Sequence, residues 1–200
     1  MIQIQNKQEK LIIVVHEIYG MNQFMESVCK RLSEQGDFDM ICPNLLGSPQ
    51  PYDYFEEEAA YRHFMENVGF THASQKIKDI LSDVKNEYQQ IFIVGFSVGA
   101  TVAWLCSEED GLTGIVGYYG SRIRDFKEIT PQSPVILFFP QVENSFDVDA
   151  LISYLDGKNV EIHKFKGKHG FSDPFSPNYD AVLAETAFAK LLNFLEKEKN

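Results

Sequence analysis

Apolar positions along the chain follow two alternating rhythms. Short continuous runs rich in β-branched residues occur at Leu11–Val15 and Ile91–Val94, as expected of strands buried on both faces. Weaker runs at Phe38–Cys42, Gly114–Tyr118, Val135–Phe139 and Val160–Phe165 read as further strands, the first ended by Pro43. Between them lie stripes at helical spacing. Met21–Gln35 places Phe24, Met25, Val28 and Leu32 on one face and stops at Gly36; Ala73–Tyr88 does the same with Ile77, Ile80, Leu81 and Val84. Tyr54–Asn67 reads as a helix opened by Glu56, Glu57 and Glu58, charges that suit a helix N-terminus. Val98–Cys106, Asp147–Leu155 and Tyr179–Glu196 complete the helices, and the Pro- and Gly-bearing stretch Asn44–Asp53 is loop. Strands separated by helices imply right-handed βαβ crossovers, hence an α/β fold: a mostly parallel central sheet of six or seven strands with helices on both faces. Ligand sites in such sheets form in loops beyond the carboxyl ends of the strands.

Composition narrows the function classes. The 200 residues suit one domain, 1–200. The formal charge of −11 argues against nucleic acid and anionic membranes as partners. No apolar run approaches a bilayer span, and the N-terminal residues lack the pattern of a signal peptide. The three cysteines, Cys29, Cys42 and Cys106, are widely spaced and odd in number, which points to reduced thiols and a cytoplasmic setting. Metal is not expected: His16-Glu17 begins an H-E-x-x-H pattern that fails at Gly20. Neither a G-x-G-x-x-G after the first strand nor a P-loop occurs, so no cofactor is implied.

The chemistry concentrates at predicted strand ends. Gly95-Phe96-Ser97-Val98-Gly99 follows the strand Ile91–Val94 and opens a helix, the context a G-x-S-x-G nucleophile elbow requires. A plain helix cap by Ser97 is the simpler alternative. A serine nucleophile needs a base. His169 follows the last strand in the Gly-flanked loop Lys166–Gly170, whereas His63 and His72 fall in or beside helices and His163 within a strand. An orienting acid belongs just beyond Val135–Phe139, where Glu143 comes first and Asp147 second; Asp147 competes as a helix cap. The order Ser97, Glu143, His169 is that of α/β-hydrolases. Oxyanion donors are expected from the backbone of Val98 and of Ile18, with Glu17 the nearest alternative to Ile18.

Four segments together resemble the dienelactone hydrolase family over roughly Lys10 to Glu196. They are His16-Glu17-Ile18-Tyr19-Gly20, similar to the family's H/Q-E-I-F/Y-G loop; the elbow Gly95–Gly99; Gly117-Tyr118-Tyr119-Gly120, like G-Y-Y-G; and His169-Gly170-Phe171, with Pro177 and Tyr179-Asp180 downstream. The resemblance implies an α/β-hydrolase fold with eight or slightly fewer strands and no separate cap domain. It also supports Glu143 in Pro140-Gln141-Val142-Glu143. This chain departs from the prototype in carrying Ser97 where the prototype has cysteine, and Asp173 and Glu56–Glu58 where the prototype has substrate-gripping arginines. Arg62, Arg122 and Arg124 are the available substitutes. Glu17 fills the place of a glutamate associated with activating the thiol.

These residues imply a serine hydrolase that cleaves a small carboxylic ester, lactone or thioester through an acyl-enzyme. Alternatives are a non-catalytic binder of the same fold and an acyl transferase or peptidase using the same triad. The expected substrate-binding wall comprises Glu17, Tyr19, Phe96, Tyr118, Tyr119 and Phe171, although Phe96 and Tyr118 read equally well as core. The expected partner is a small-molecule ester, and the expected assembly a monomer or weak homodimer.

Overall fold

The computed structural model describes residues 1–143 and 145–197. Among the described residues, seven strands form one sheet: β1 (Ile2–Ile4), β2 (Lys10–Val15), β3 (Asp39–Cys42), β4 (Gln90–Phe96), β5 (Gly114–Tyr118), β6 (Val135–Pro140) and β7 (Val160–Phe165). Their order is β1-β3-β2-β4-β5-β6-β7. Only β1 pairs antiparallel, against β3; the other pairs are parallel. The chain leaves β2 toward one edge, then returns past it to β4 and continues toward the other edge. The reversal between β2 and β4 is a topological switch point, where two strand ends diverge and leave a crevice.

Period-two alternation splits the strands' side chains between two cores. Ile12, Val14, Phe92, Val94 and Phe96 face α1 (Gln23–Gln35) and the helix Ala181–Lys197, whereas Leu11, Ile13, Val15, Ile91 and Ile93 face the remaining helices. Those helices are α2 (Glu57–His63), α3 (Gly69–Val84), α4 (Val98–Leu105) and α5 (Val148–Leu155), which makes Ala181–Lys197 α6. α4 lies against the centre of the sheet. Its residues Val98–Trp104 are all buried, so it reads as apolar all round rather than as a stripe.

The structure adjusts several sequence boundaries. β1 escaped the hydrophobic pattern because it is short and its middle residue, Gln3, faces solvent. Asn22 caps α1 by accepting from the Met25 N–H at 3.1 Å, so Met21 and Asn22 precede the helix. The two helices expected at Tyr54–Asn67 and Ala73–Tyr88 are instead linked by a wide π-type turn, Phe64–Val68, and the second starts at Gly69 and ends at Val84.

Backbone contact at the switch point limits what positions 95 and 99 can hold. A Cβ on Gly95 would lie 2.2 Å from the Gly99 carbonyl oxygen, and one on Gly99 would lie 2.2 Å from that of Val15. Backbone cannot yield as a flexible side-chain tip can. Gly99→Ala is therefore expected to lower stability by roughly 3 kcal/mol, the upper range for overpacking. Gly157, with φ +79° but open space around it, serves as the control. Gly157→Ala should cost about 1 kcal/mol, from backbone conformation alone. Urea unfolding of both variants checks this; equal losses would refute the steric argument.

Candidate active site

The switch point gathers the loops that carry the sequence motifs. β2 and β4 are direct neighbours in register, with Val15 opposite Gly95, so His16–Gly20 and the elbow emerge side by side. Ser97 occupies φ 53°, ψ −115°, a conformation rare for a residue with a side chain. It is held there because its N–H donates to the Tyr118 carbonyl at 2.9 Å while α4 starts at the next residue. The sharp turn lifts the hydroxyl off the sheet.

His169 reaches that hydroxyl from the loop after β7. Its Nε2 lies 2.9 Å from Ser97 Oγ, and its Nδ1 lies 2.7 Å from Glu143 Oε1. Asn178 Nδ2 donates to the His169 carbonyl at 2.9 Å and so anchors the loop. Burial by itself pulls the imidazole pKa down. The hydrogen bond and charge of Glu143, with the charges of Glu17 and Glu57, outweigh it and leave the pKa raised. Asp147, the other acid candidate, instead caps α5, accepting from the N–H groups of Asp149 and Ala150 at 2.9 and 3.1 Å.

These groups open into a cavity of about 620 Å³, a volume suited to a small molecule. Ser97, His169, Glu143, Ile18, Val98, Glu17 and Tyr19 all line it. The expected aromatic wall needs correction. Phe96 and Tyr118 point to the α1/α6 side, stacked 4.6 Å apart, and border a second cavity of about 240 Å³. Strand alternation dictates this: both lie in phase with Val94 and Val116, on the face opposite the first cavity. Tyr119 and Phe171 are fully buried; the Tyr119 ring backs His169 with centroids 4.8 Å apart and does not line the cavity. Tyr54 and Tyr61 join Tyr19 as the aromatic lining instead. Of the three arginines, Arg122 and Arg124 line the cavity, while Arg62 lies near Glu58 on exposed α2.

The cavity also carries acidic groups. Glu17 is buried, with Oε1 lacking a partner among the described residues. Burial, helped by the nearby Asp173 charge, pushes its pKa up to about 7. Asp173 is also buried and its pKa raised by burial, although it accepts hydrogen bonds from the Tyr54 hydroxyl and the Phe175 N–H. Sequence reasoning did not find Tyr54 or Asn178. Tyr54 bonds Asn22 and Asp173, both distant in the chain, and Asn178 reaches back nine residues to His169; no local pattern marks such bonds.

Comparison with known proteins identifies the family. The model of the dienelactone hydrolase family matches residues 1–199. The chain belongs to that family. YczH of Bacillus subtilis is 40% identical, over 93% of this chain and 90% of its own. The carboxymethylenebutenolidase of Pseudomonas putida is 26% identical, over 92% and 84%. A dienelactone hydrolase-like promiscuous phosphotriesterase, P91, from metagenomic libraries has the same fold. It superposes with a TM-score of 0.74 at 19% identity, covering 96% of this chain and 88% of its own. Membership places the protein among hydrolases acting on ester bonds, with an α/β-hydrolase fold.

Glu17 gives a pH signature. Its folded pKa is raised from 4.5 to about 7, so the folded state binds an extra proton between those values. Its contribution to stability is full below pH 4.5 and is lost as pH rises through 7. Glu17→Gln, which cannot ionise, should gain on the wild type by roughly 1–3 kcal/mol between pH 4.5 and pH 8. Denaturant titrations at both pH values test this, and a pH-independent difference would contradict it.

Proposed function

We propose that this protein is a serine hydrolase that cleaves a small, neutral carboxylic ester, lactone or thioester through an acyl-enzyme. The observation that carries the reading is the continuous chain Ser97–His169–Glu143, at 2.9 and 2.7 Å, on the wall of the 620 Å³ cavity. Ser97 Oγ attacks the carbonyl carbon while His169 Nε2 takes its proton. Glu143 accepts from Nδ1–H, fixing the tautomer and stabilising the imidazolium. The tetrahedral oxyanion sits between the N–H groups of Ile18 and Val98. Val98 heads α4, so its N–H has no acceptor within the helix. Collapse expels the alcohol or thiol, which takes the proton from His169. Water then attacks the acyl-enzyme by the same route, releasing the acid and restoring Ser97.

Glu17, Glu57 and Asp173 line the cavity together with Arg122 and Arg124; near the acidic groups an anionic acyl group is disfavoured, which supports a neutral substrate. We place the protein in the cytoplasm. The three free, buried thiols suit that setting, and no helix among the described residues is long and apolar enough to cross a membrane.

Ser97→Ala should lower kcat/KM on a cleaved ester by roughly 10³ or more, and the wild type should be labelled stoichiometrically at Ser97 by a fluorophosphonate. Retained hydrolysis in the variant would overturn the reading.

The two acids separate by a paired test. Glu143→Gln should lower kcat by about 10²–10⁴. Asp147→Ala should leave kcat within about twofold yet cost about 1 kcal/mol of stability through the lost cap. Steady-state kinetics and thermal melts on the two variants check the assignment.

A further inference from the structure

His16 is fully buried behind the cavity and makes two hydrogen bonds that fix its ring. The backbone N–H of Leu45 donates to Nε2 at 2.8 Å, so Nε2 carries a lone pair. The only ring proton of the neutral imidazole is then on Nδ1, which donates to the Glu17 carbonyl at 2.6 Å. A second donor, the Gly20 N–H, meets that carbonyl at 3.2 Å and closes the turn Glu17–Gly20. No peptide in the described chain is cis, so across the Glu17–Ile18 peptide the C=O and N–H point in opposite directions. Holding the carbonyl toward the buried ring therefore turns the Ile18 N–H the other way. The loop also lies hard against the elbow: a Cβ on Gly99 would come within 2.6 Å of the His16 carbonyl oxygen. Ile18 lines the cavity together with Ser97 and Val98.

We propose that His16 is a positioning residue that locks the Glu17–Ile18 peptide with its N–H presented to the oxyanion. This inference rests on the reading above, in which Ile18 is an oxyanion donor. With the lock gone, only the longer bond from the Gly20 N–H at 3.2 Å still holds the carbonyl, and the peptide flips more readily, which would bring the Glu17 carbonyl into the place where negative charge develops. The hydrogen bond to the carbonyl also polarises the same amide and strengthens its N–H as a donor. Burial lowers the His16 pKa to about 4, so the donor–acceptor pattern persists through neutral pH.

Two unbranched replacements of similar size isolate the lock. Glutamine carries both an N–H donor and an oxygen acceptor; methionine offers only a weak sulfur acceptor for the Leu45 N–H and nothing to the Glu17 carbonyl. His16→Met should lower kcat by about 10²-fold, the scale of losing one oxyanion donor, with KM changed less than about threefold. Affinity for a boronic acid that forms a tetrahedral adduct should fall in parallel. His16→Gln should recover kcat to within about tenfold of wild type. A purely structural role would lower the melting temperature and leave kcat and adduct affinity of the folded protein unmoved. That result, or a failure of glutamine to rescue, overturns the proposal. If the methionine variant does not fold, the ¹⁵N shifts of the wild-type imidazole decide. A protonated Nδ1 with a bare Nε2 supports the lock, and the opposite tautomer removes it. Ser97→Ala measured alongside separates the two levels: activity there defeats the serine reading itself, whereas an inactive Ser97→Ala beside a fully active His16→Met defeats only the lock.

Discussion

The N-terminus of α4 meets the carboxyl end of β2 backbone to backbone, and the candidate site depends on that contact. The helix approaches so closely that neither Gly95 nor Gly99 has room for a methyl group. The approach brings the His16–Gly20 loop and the elbow together without any side chain between them. It also holds Ser97 in a left-handed conformation, which generally costs about 1–3 kcal/mol and survives only when surrounding structure over-determines it. Here the surroundings are two parallel strand pairs, a helix buried on every side, and the bond from the Ser97 N–H to the Tyr118 carbonyl.

Electrostatics then divides labour among groups that look alike in composition. Glu143 neighbours an imidazole and raises its proton affinity. Glu17 and Asp173, sunk deeper and close to one another, have their own pKa values raised by burial. His16 and His169 differ in the same way. One is sealed among backbone groups and kept neutral by burial; the other faces a carboxylate and a hydroxyl, and its pKa is raised despite burial. Environment, not residue type, sets each role. The same cavity carries the carboxyl groups of Glu17, Glu57 and Asp173 beside Arg122 and Arg124, and Asp173 stands where the resemblance to the prototype implies an arginine.

Much of the architecture was legible in the chain because it is written locally. The runs Leu11–Val15 and Ile91–Val94, the glycines around Ser97, and Asp147 ahead of an apolar helical stripe are each short-range signals, and each lies where its signal indicated. The elbow motif nominated Ser97, and position after a predicted strand nominated His169 and, ahead of Asp147, Glu143; the structure brings Ser97 and Glu143 each within hydrogen-bond distance of His169. The aromatic wall was misjudged because sequence spacing does not say which face of a strand looks toward the cavity. Phe96 and Tyr118 fall on the far face, and Tyr54 and Tyr61 arrive from a distant 3₁₀ turn and the helix that follows it.

By itself, then, the sequence determined the alternation of strands and helices, the elbow, and the residue types capable of acyl chemistry, since these follow from periodicity and from steric limits within a few residues. Only the tertiary structure decided which of two acids meets the imidazole, which aromatics wall the cavity, and which histidine fastens a backbone amide. The acid and the histidine depend on segments far apart in the chain, the end of β6 with the loop after β7 and His16 with Leu45, being folded to within about 3 Å, a hydrogen bond's reach; the aromatics depend on which strand face looks toward the cavity.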